Sequence, residues 1–387
     1  MRARRDGTIR QAEKGVTVGF YSPLPPARTG VADYAASLLD ALRLHGTVRV
    51  EPERCDVALY HLGNNALHAG VYRRALDQPG VVVMHDAVLH HFLLGRLDEQ
   101  AYVEEFVYNY GEWSRGLARE LWRGRAASGA DSRYFEFPML RRAAETALAV
   151  VVHNPAAAGA VRRHAAGARI VEIPHLFEAP PMPSAAEVLR FRERLGVPAG
   201  AFLFGVFGYL RESKRLMSVL EAFGAVHREL TATALLVAGD FVSTDLERAA
   251  EPLLASPGII RLPYLPEPDF WLAAGAVDAA INLRYPAAGE TSGIVVRLMG
   301  IGKPVMVTEG PECAHFPEDA VIRIPPGLGE CQSLREHMIL LTSITEVARA
   351  VGLRGARHIR SYHRVDLIGR QYWDLLCEIC ASSQPVR

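Results

Sequence analysis

Residues 277–308, VDAAINLRYPAAGETSGIVVRLMGIGKPVMVT, decide how the rest of the chain is read. The opening run, Val277 to Leu283, has the length and apolar character of a buried strand. Arg284 to Gly293 (RYPAAGETSG) is a loop broken by Pro and Gly. A helix follows from Ser292 to Ile301, with Thr291 or Ser292 as its cap; Gly302 ends it, and Pro304 opens a second strand, Val305 to Thr308. Strand, helix and strand in this order predict a parallel βαβ unit, and so an α/β fold.

The same alternation extends in both directions. Before this unit come strands Leu203 to Phe207, Ala234 to Ala238 and Ile259 to Leu262, with a helix from Leu216 to Leu230. In the first half, Val16 to Tyr21 predicts a strand, Ser22 to Gly30 a loop, and Val31 onward a helix whose Val31, Ala35, Leu38, Leu39 and Leu42 share one face. Further strands are expected at Val57 to Tyr60, Val81 to Met84, Ala149 to Val152 and Ile170 to Ile173. Leu97 to Leu148 reads as two or three helices, whose aromatics Tyr102, Phe106, Tyr108, Tyr110, Trp113 and Trp122 either shape recognition of a ligand or fill the core.

At roughly 150 residues per domain, 387 residues predict two sizeable domains. Pro174, Pro180, Pro181 and Pro183 mark the boundary. The expected division is 1–178, joined by a C-terminal helix at 366–387, and 179–365. That last helix carries Tyr372, Trp373 and Leu376, which need a surface to bury them.

Composition excludes several classes. Lys plus Arg and Asp plus Glu both total 43, so no net field favours a nucleic acid partner. The five cysteines are too scattered for a disulfide framework, and Cys377 with Cys380 lacks the second pair a zinc site needs. No apolar run approaches the ~20 residues that cross a bilayer. The N-terminal Met1 to Lys14 is basic, with Arg2, Arg4, Arg5 and Arg10, but lacks the apolar stretch of a secretory signal. The expectation is a cytoplasmic protein, with weak attraction of that tail to the inner face of a membrane as the alternative.

In open parallel sheets, ligands meet the loops beyond the carboxyl ends of strands, where helix N-termini attract anions. Four such loops carry candidate chemistry. Gly30, with Thr29, allows backbone approach to a ligand, although a plain strand-to-helix connection reads the same way. Neither G-x-G-x-x-G nor G-x-x-x-x-G-K-[ST] occurs, which removes the dehydrogenase and P-loop readings. His85 and Asp86 follow a strand and suit a sugar hydroxyl or proton transfer; His90 and His91 lie off the spacing of a helical metal pair. Gly208 to Arg215 (GYLRESKR) crowds Arg211, Lys214 and Arg215 onto one turn, which suits a diphosphate. The RYPAAGETSG loop offers Glu290 as a fixed acceptor, and Thr291, Ser292, Gly293 and Ile294 as donors, a combination suited to a sugar phosphate.

These residues resemble the retaining glycosyltransferases of family 4. YSPLPPARTGVADY, MHDAVLHH, FGYLRESKR and NLRYPAAGETSGIVVRLMGIGKPVMV carry the resemblance over nearly the whole chain. It implies the GT-B architecture, two Rossmann-like doubly wound domains facing each other across a cleft. It also implies a nucleotide-sugar donor held mainly by the second domain and a hydroxyl acceptor met by the first, with no metal and no other cofactor. Gly30 and His85 take the family's first-domain loop and His, Lys214 one of its cations, and Glu290 to Ile294 its donor loop. Two places depart from the family pattern. The family's two glutamates have seven residues between them; counted from Glu290, the second place falls on Leu298, while counting back from Gly302 and Pro304 puts Arg297 there and Gly289 at the first. Tyr209 stands where an Arg follows Gly208 in the family.

The expected activity is transfer of a hexose from a nucleotide diphosphate to a hydroxyl acceptor such as a glycan, a lipid-linked sugar or a small molecule. Lys214 and Arg211 would stabilise the departing diphosphate, Glu290 would orient the sugar, and His85 would line its site, with Gly208, Tyr209 and Arg297 also at the donor. A nucleotide-sugar-binding protein without transfer and a sugar-nucleotide epimerase are the competing readings. A glycoside hydrolase is disfavoured by the phosphate-type loops.

Overall fold

The computed structural model describes residues 15–383, and the basic stretch Met1 to Lys14 lies outside the described residues. Among the described residues, twelve strands form two six-stranded sheets, all parallel. The first contains β1 (Thr17–Tyr21), β2 (Thr47–Val50), β3 (Val57–Leu62), β4 (Val81–Met84), β5 (Ala149–Val152) and β6 (Ile170–Glu172), in the order β2-β1-β3-β4-β5-β6. The second contains β7 (Phe202–Phe207), β8 (Thr233–Ala238), β9 (Ile259–Leu262), β10 (Ala279–Asn282), β11 (Val305–Thr308) and β12 (Ile322–Ile324), in the order β12-β11-β10-β7-β8-β9.

The central strands β3, β4, β5, β7, β8 and β10 are buried along their whole length. Helices cover both faces of a parallel sheet, which is why these strands read as continuous apolar runs rather than alternating ones. The predicted strand Val277 to Leu283 is shorter in the structure. Asp278 meets Leu203 twice, its amide donating to the Leu203 carbonyl and its carboxylate accepting from the Leu203 amide, each at 2.7 Å, and the Val277 carbonyl accepts from Lys303 Nζ at 2.7 Å. The edge strands β2 and β12 have no apolar run to announce them: three of the four β2 residues are exposed.

The chain divides into two compact units. One comprises the chain to Glu178, Ala288–Thr291 and the chain from His363; the other comprises Ala179–Ala287 and Ser292–Tyr362. In the first unit the final helix, Val365–Ser383, packs on the helix Gly30–Arg43. Tyr372, Trp373 and Leu376 are buried there with Val18, Leu38 and Leu42. A Cβ on Gly46 would stand 2.2 Å from the Trp373 ring, so this glycine is required by close packing. Truncating a buried aromatic of this size costs about 3–5 kcal/mol.

Besides short 3-10 turns at Glu112–Ser114 and Arg125–Ala127, residues 97–148 form four α-helices, Glu99–Tyr110, Arg115–Gly124, Arg133–Glu136 and Arg141–Thr146, where two or three helices were expected. The last two are only four and six residues long, too short for a periodic pattern. Tyr102 and Phe106 are fully buried and serve the core, whereas Trp113 is 73% exposed. No described helix is long and apolar enough to cross a membrane.

Candidate active site

Parallel strands end at one edge of their sheet, and in the first unit that edge carries a row of histidines. His61 lies near the end of β3, and His85 and His153 directly follow β4 and β5. His175 lies beyond β6. Their hydrogen bonds fix the tautomers. The carbonyl of Ile173 can only accept, so His153 Nδ1–H donates to it at 2.9 Å. His153 Nε2 must then accept from His85 Nδ1–H at 3.3 Å, and His85 Nε2 from His61 Nδ1–H at 2.9 Å. The chain ends on His61 Nε2, a buried acceptor with no hydrogen-bond partner.

Burial holds all three imidazoles neutral. It pushes His153 down to about 4 and takes His61 and His85 well below their ordinary range, assisted by the neighbouring histidines. The Tyr34 ring lies 4.7–6.0 Å from those of His61, His85, His153 and His175, and its hydroxyl meets that of Tyr372 at 3.0 Å. This corrects the place expected for His85. Both its ring nitrogens are engaged by other histidines, so it has none to offer a sugar hydroxyl. Asp86 instead accepts from the Asn64 amide at 2.7 Å.

The Thr29-Gly30 turn caps the helix behind it, with the Val31 amide 3.4 Å from Thr29 Oγ1. Gly30 is exposed, and a Cβ there would meet nothing within 4 Å. In the segment Ala288–Thr291, Glu290 is half-buried and its Oε2 accepts from the Ala288 amide at 2.8 Å.

In the second unit, the turn after β7 is built around Gly208. Its φ is +85°, and a Cβ would lie 2.6 Å from Ile294 and 3.0 Å from Lys214 Nζ. Only glycine fits both the backbone and the space. Lys214 is 5% exposed, with its ammonium donating to the Phe207 carbonyl at 2.8 Å. The three cations expected on one turn therefore part company. Lys214 is buried beneath it, Arg211 is exposed, and Arg215 is paired through Nε with the buried Glu330 at 2.8 Å. Tyr209 lies beside Tyr264, ring centroids 6.3 Å apart.

Ser292 caps the helix Gly293–Gly300: its Oγ is 3.4 Å from the Val295 amide and donates to Asn282 Oδ1 at 2.9 Å. Arg284, which the sequence reading left without a role, donates to Ser292 Oγ at 3.2 Å. It brings a guanidinium to the residue that caps this helix, where the helix dipole also favours an anion. A cation at the end of a strand that leads into a helix is the signal that could have found it. Arg297 belongs elsewhere than expected. Its guanidinium lies over the rings of Phe270 and Trp271 at 4.2 and 4.4 Å and pairs with Glu267. Trp271 Nε1 donates to the same carboxylate at 2.6 Å. The group at the second glutamate's place is thus satisfied within the protein.

Among the described residues, no three His, Cys, Asp or Glu side chains are placed to hold a metal ion. The second unit's edge thus places Lys214 beside Gly208 and Arg284 on the cap of the helix Gly293–Gly300, charges of the sign that suits an anion. Two parallel sheets with helices on both faces define a doubly wound α/β protein, whose ligand edge is the carboxyl end of the strands.

No family model and no curated protein sequence matches the chain. Solved structures do. The chain is similar to sucrose-phosphate synthase from Thermosynechococcus elongatus, with a TM-score of 0.67 and 15% identity over 95% of this chain and 100% of the other. It is similar to Anabaena HepE in complex with UDP-glucose, with a TM-score of 0.64 and 15% identity over 94% of this chain and 100% of the other. It is also similar to WaaG, a glycosyltransferase involved in lipopolysaccharide biosynthesis, with a TM-score of 0.60 and 14% identity over 93% and 99%. The fold is therefore the two-sheet fold of the GT-B glycosyltransferases.

Proposed function

We propose that the chain is a glycosyltransferase that moves a hexose from a nucleotide diphosphate to a hydroxyl acceptor, with retention and without a metal. The observation that carries this reading is the helix N-terminus at Gly293, flanked by Arg284 and lying beside Gly208 and Lys214 through Ile294. Free amides, a helix dipole and two cations at one edge suit a departing diphosphate.

Each residue then has a task. Lys214, Arg284 and the amides of Gly293 and Ile294 offset the charge that develops on the leaving β-phosphate, and Arg211 screens it from the exposed side. Glu290 orients the hexose by accepting from its hydroxyls. The bond from the anomeric carbon to the β-phosphate oxygen breaks, and the acceptor oxygen bonds to that carbon on the same face. The acceptor proton passes to the departing phosphate. His85 takes no proton here; with His61 and His153 it forms a neutral, rigid floor. The acceptor is a hydroxyl compound, with membrane-associated glycans among those to try.

Nucleoside diphosphate release is the assay, with UDP-glucose, which the Anabaena protein holds, as the first donor. Arg284→Gln and Glu290→Gln should each lower turnover by about 10²–10³ while leaving the fold intact. Undiminished turnover in both removes the assignment. The locked Arg297 gives a nucleotide-sugar-binding protein its one supporting observation, and tight donor binding with neither hydrolysis nor transfer would favour that reading.

A further inference from the structure

The segment Ala288–Thr291 belongs to the first unit, and within that unit one side chain holds it. Asn154 directly follows His153 at the end of β5 and is 2% exposed. It caps the helix Pro155–His164, its Oδ1 accepting from the Ala157 amide at 2.8 Å. That bond settles which end of the amide is oxygen, and both Nδ2 protons then face the segment. One goes to the Gly289 carbonyl and the other to Thr291 Oγ1, each at 3.0 Å. Thr291 Oγ1 returns its own proton to the His153 carbonyl at 3.3 Å.

The two anchors straddle Glu290. On the same segment, Gly289 has φ +72°, and a Cβ there would lie 2.6 Å from Ala87 Cβ, so the backbone is pressed against the loop after β4. The Glu290 carboxylate, tied to the Ala288 amide, is thereby held at both neighbours and at its own oxygen. A capping asparagine needs only its oxygen. Here the amide nitrogen spends its full donor capacity on the residues either side of the one carboxylate in this loop.

We propose that Asn154 is a positioning residue for Glu290: it makes no contact with the donor and sets where that carboxylate stands. The assignment rests on Glu290 as the group that orients the donor sugar. Two effects follow. Without the Asn154 donors, the segment frays while the sheet beneath it stays intact. The contact to the sugar weakens, and the contact to the diphosphate, made by Lys214 and Arg284, does not.

Asn154→Asp separates capping from positioning. A carboxylate still caps the helix and suits its N-terminus, but it cannot donate to the Gly289 carbonyl. Amide exchange followed by mass spectrometry on the ligand-free protein should speed up about tenfold or more across 288–292 in the variant and stay unchanged across 157–164. Affinity for UDP-glucose should fall about tenfold while affinity for UDP changes less than twofold. Thr291→Val, which removes one anchor and leaves the cap alone, should move both readouts the same way and serves if Asn154→Asp does not fold. Unchanged exchange across 288–292 in the folded variants overturns the proposal, as does an equal loss for UDP-glucose and UDP. If the unmodified protein binds no nucleotide sugar, the donor reading fails on its own, and the exchange measurement still decides whether Asn154 holds the segment.

Discussion

Acidification from pH 7.5 to 5 should destabilise the first unit, and the histidine row sets how much. His153 titrates near 6.5 when unfolded and at about 4 when folded. Its folded value is depressed, so the unfolded chain binds more protons below 6.5, and stability falls as the pH drops from 6.5 through 4. At pH 5 this one residue costs the native state about 2 kcal/mol, rising to about 3 once titration is complete, at roughly 1.4 kcal/mol per pKa unit. His90 is buried against the Phe137 carbonyl and the Tyr102 hydroxyl and is also held down to about 4. It lies outside the row and adds a similar amount. Together they cost about 4 kcal/mol at pH 5, a large share of the 5–15 kcal/mol that holds a typical domain together. His61 and His85 act in the same direction. Urea unfolding followed by tryptophan fluorescence reads this well, because Trp113, Trp122 and Trp373 belong to the first unit and only Trp271 to the second. His153→Gln keeps a donor for the Ile173 carbonyl and removes the titration, so its loss between pH 7.5 and 5 should be smaller by about 2 kcal/mol. A stability that stays flat from pH 7.5 to 5, or a variant that loses as much as the parent, would refute the reasoning.

Two further substitutions test particular placements. Gly208→Ala puts a side chain at φ +85° and against Ile294, which should cost about 2 kcal/mol of stability and weaken nucleoside diphosphate binding about tenfold, as read by thermal melting and calorimetry. Arg297→Leu removes a guanidinium stacked on Phe270 and Trp271. Stability should fall by about 1 kcal/mol with diphosphate affinity changed less than twofold, and a tenfold loss of affinity would return this residue to the donor site.

Most of the two sheets is legible in the sequence, because a strand buried on both faces has to be a continuous apolar run. VVVM at 81–84, AVVV at 149–152 and FLFGVF at 202–207 need no tertiary information to be read as strands. The strands without such a run are those at the edges. TVRV at 47–50 exposes three of its four residues and IRI at 322–324 has only three, so pairing with β1 and β11 makes them strands, not their own composition. The helices of 97–148 follow the same logic: short ones are fixed by what they cover, here a core of Tyr102, Phe106, Leu121 and Tyr134.

The site divides along a different line. A loop's position was legible, since Gly208 and Ser292 fall where strands of a parallel sheet hand over to helices. What each charge does there was not, because that depends on partners distant in sequence. Lys214 and Arg215 are neighbours, yet one is buried on the Phe207 carbonyl and the other is claimed by Glu330, 115 residues on. Arg297 is spent on Glu267, while Arg284, five residues before Gly289, supplies the guanidinium at the helix N-terminus. The same holds for histidine. His85 beside Asp86 looks like a reactive pair, but His61 and His153 lie 24 and 68 residues away and take both of its nitrogens. An ionisable side chain at a ligand-binding edge takes its role from the partners the fold gives it, and strand order sets many of those partners. In a sheet ordered β3-β4-β5, the histidines at the ends of those three strands become adjacent, and His61 and His153 take up the two ring nitrogens of His85.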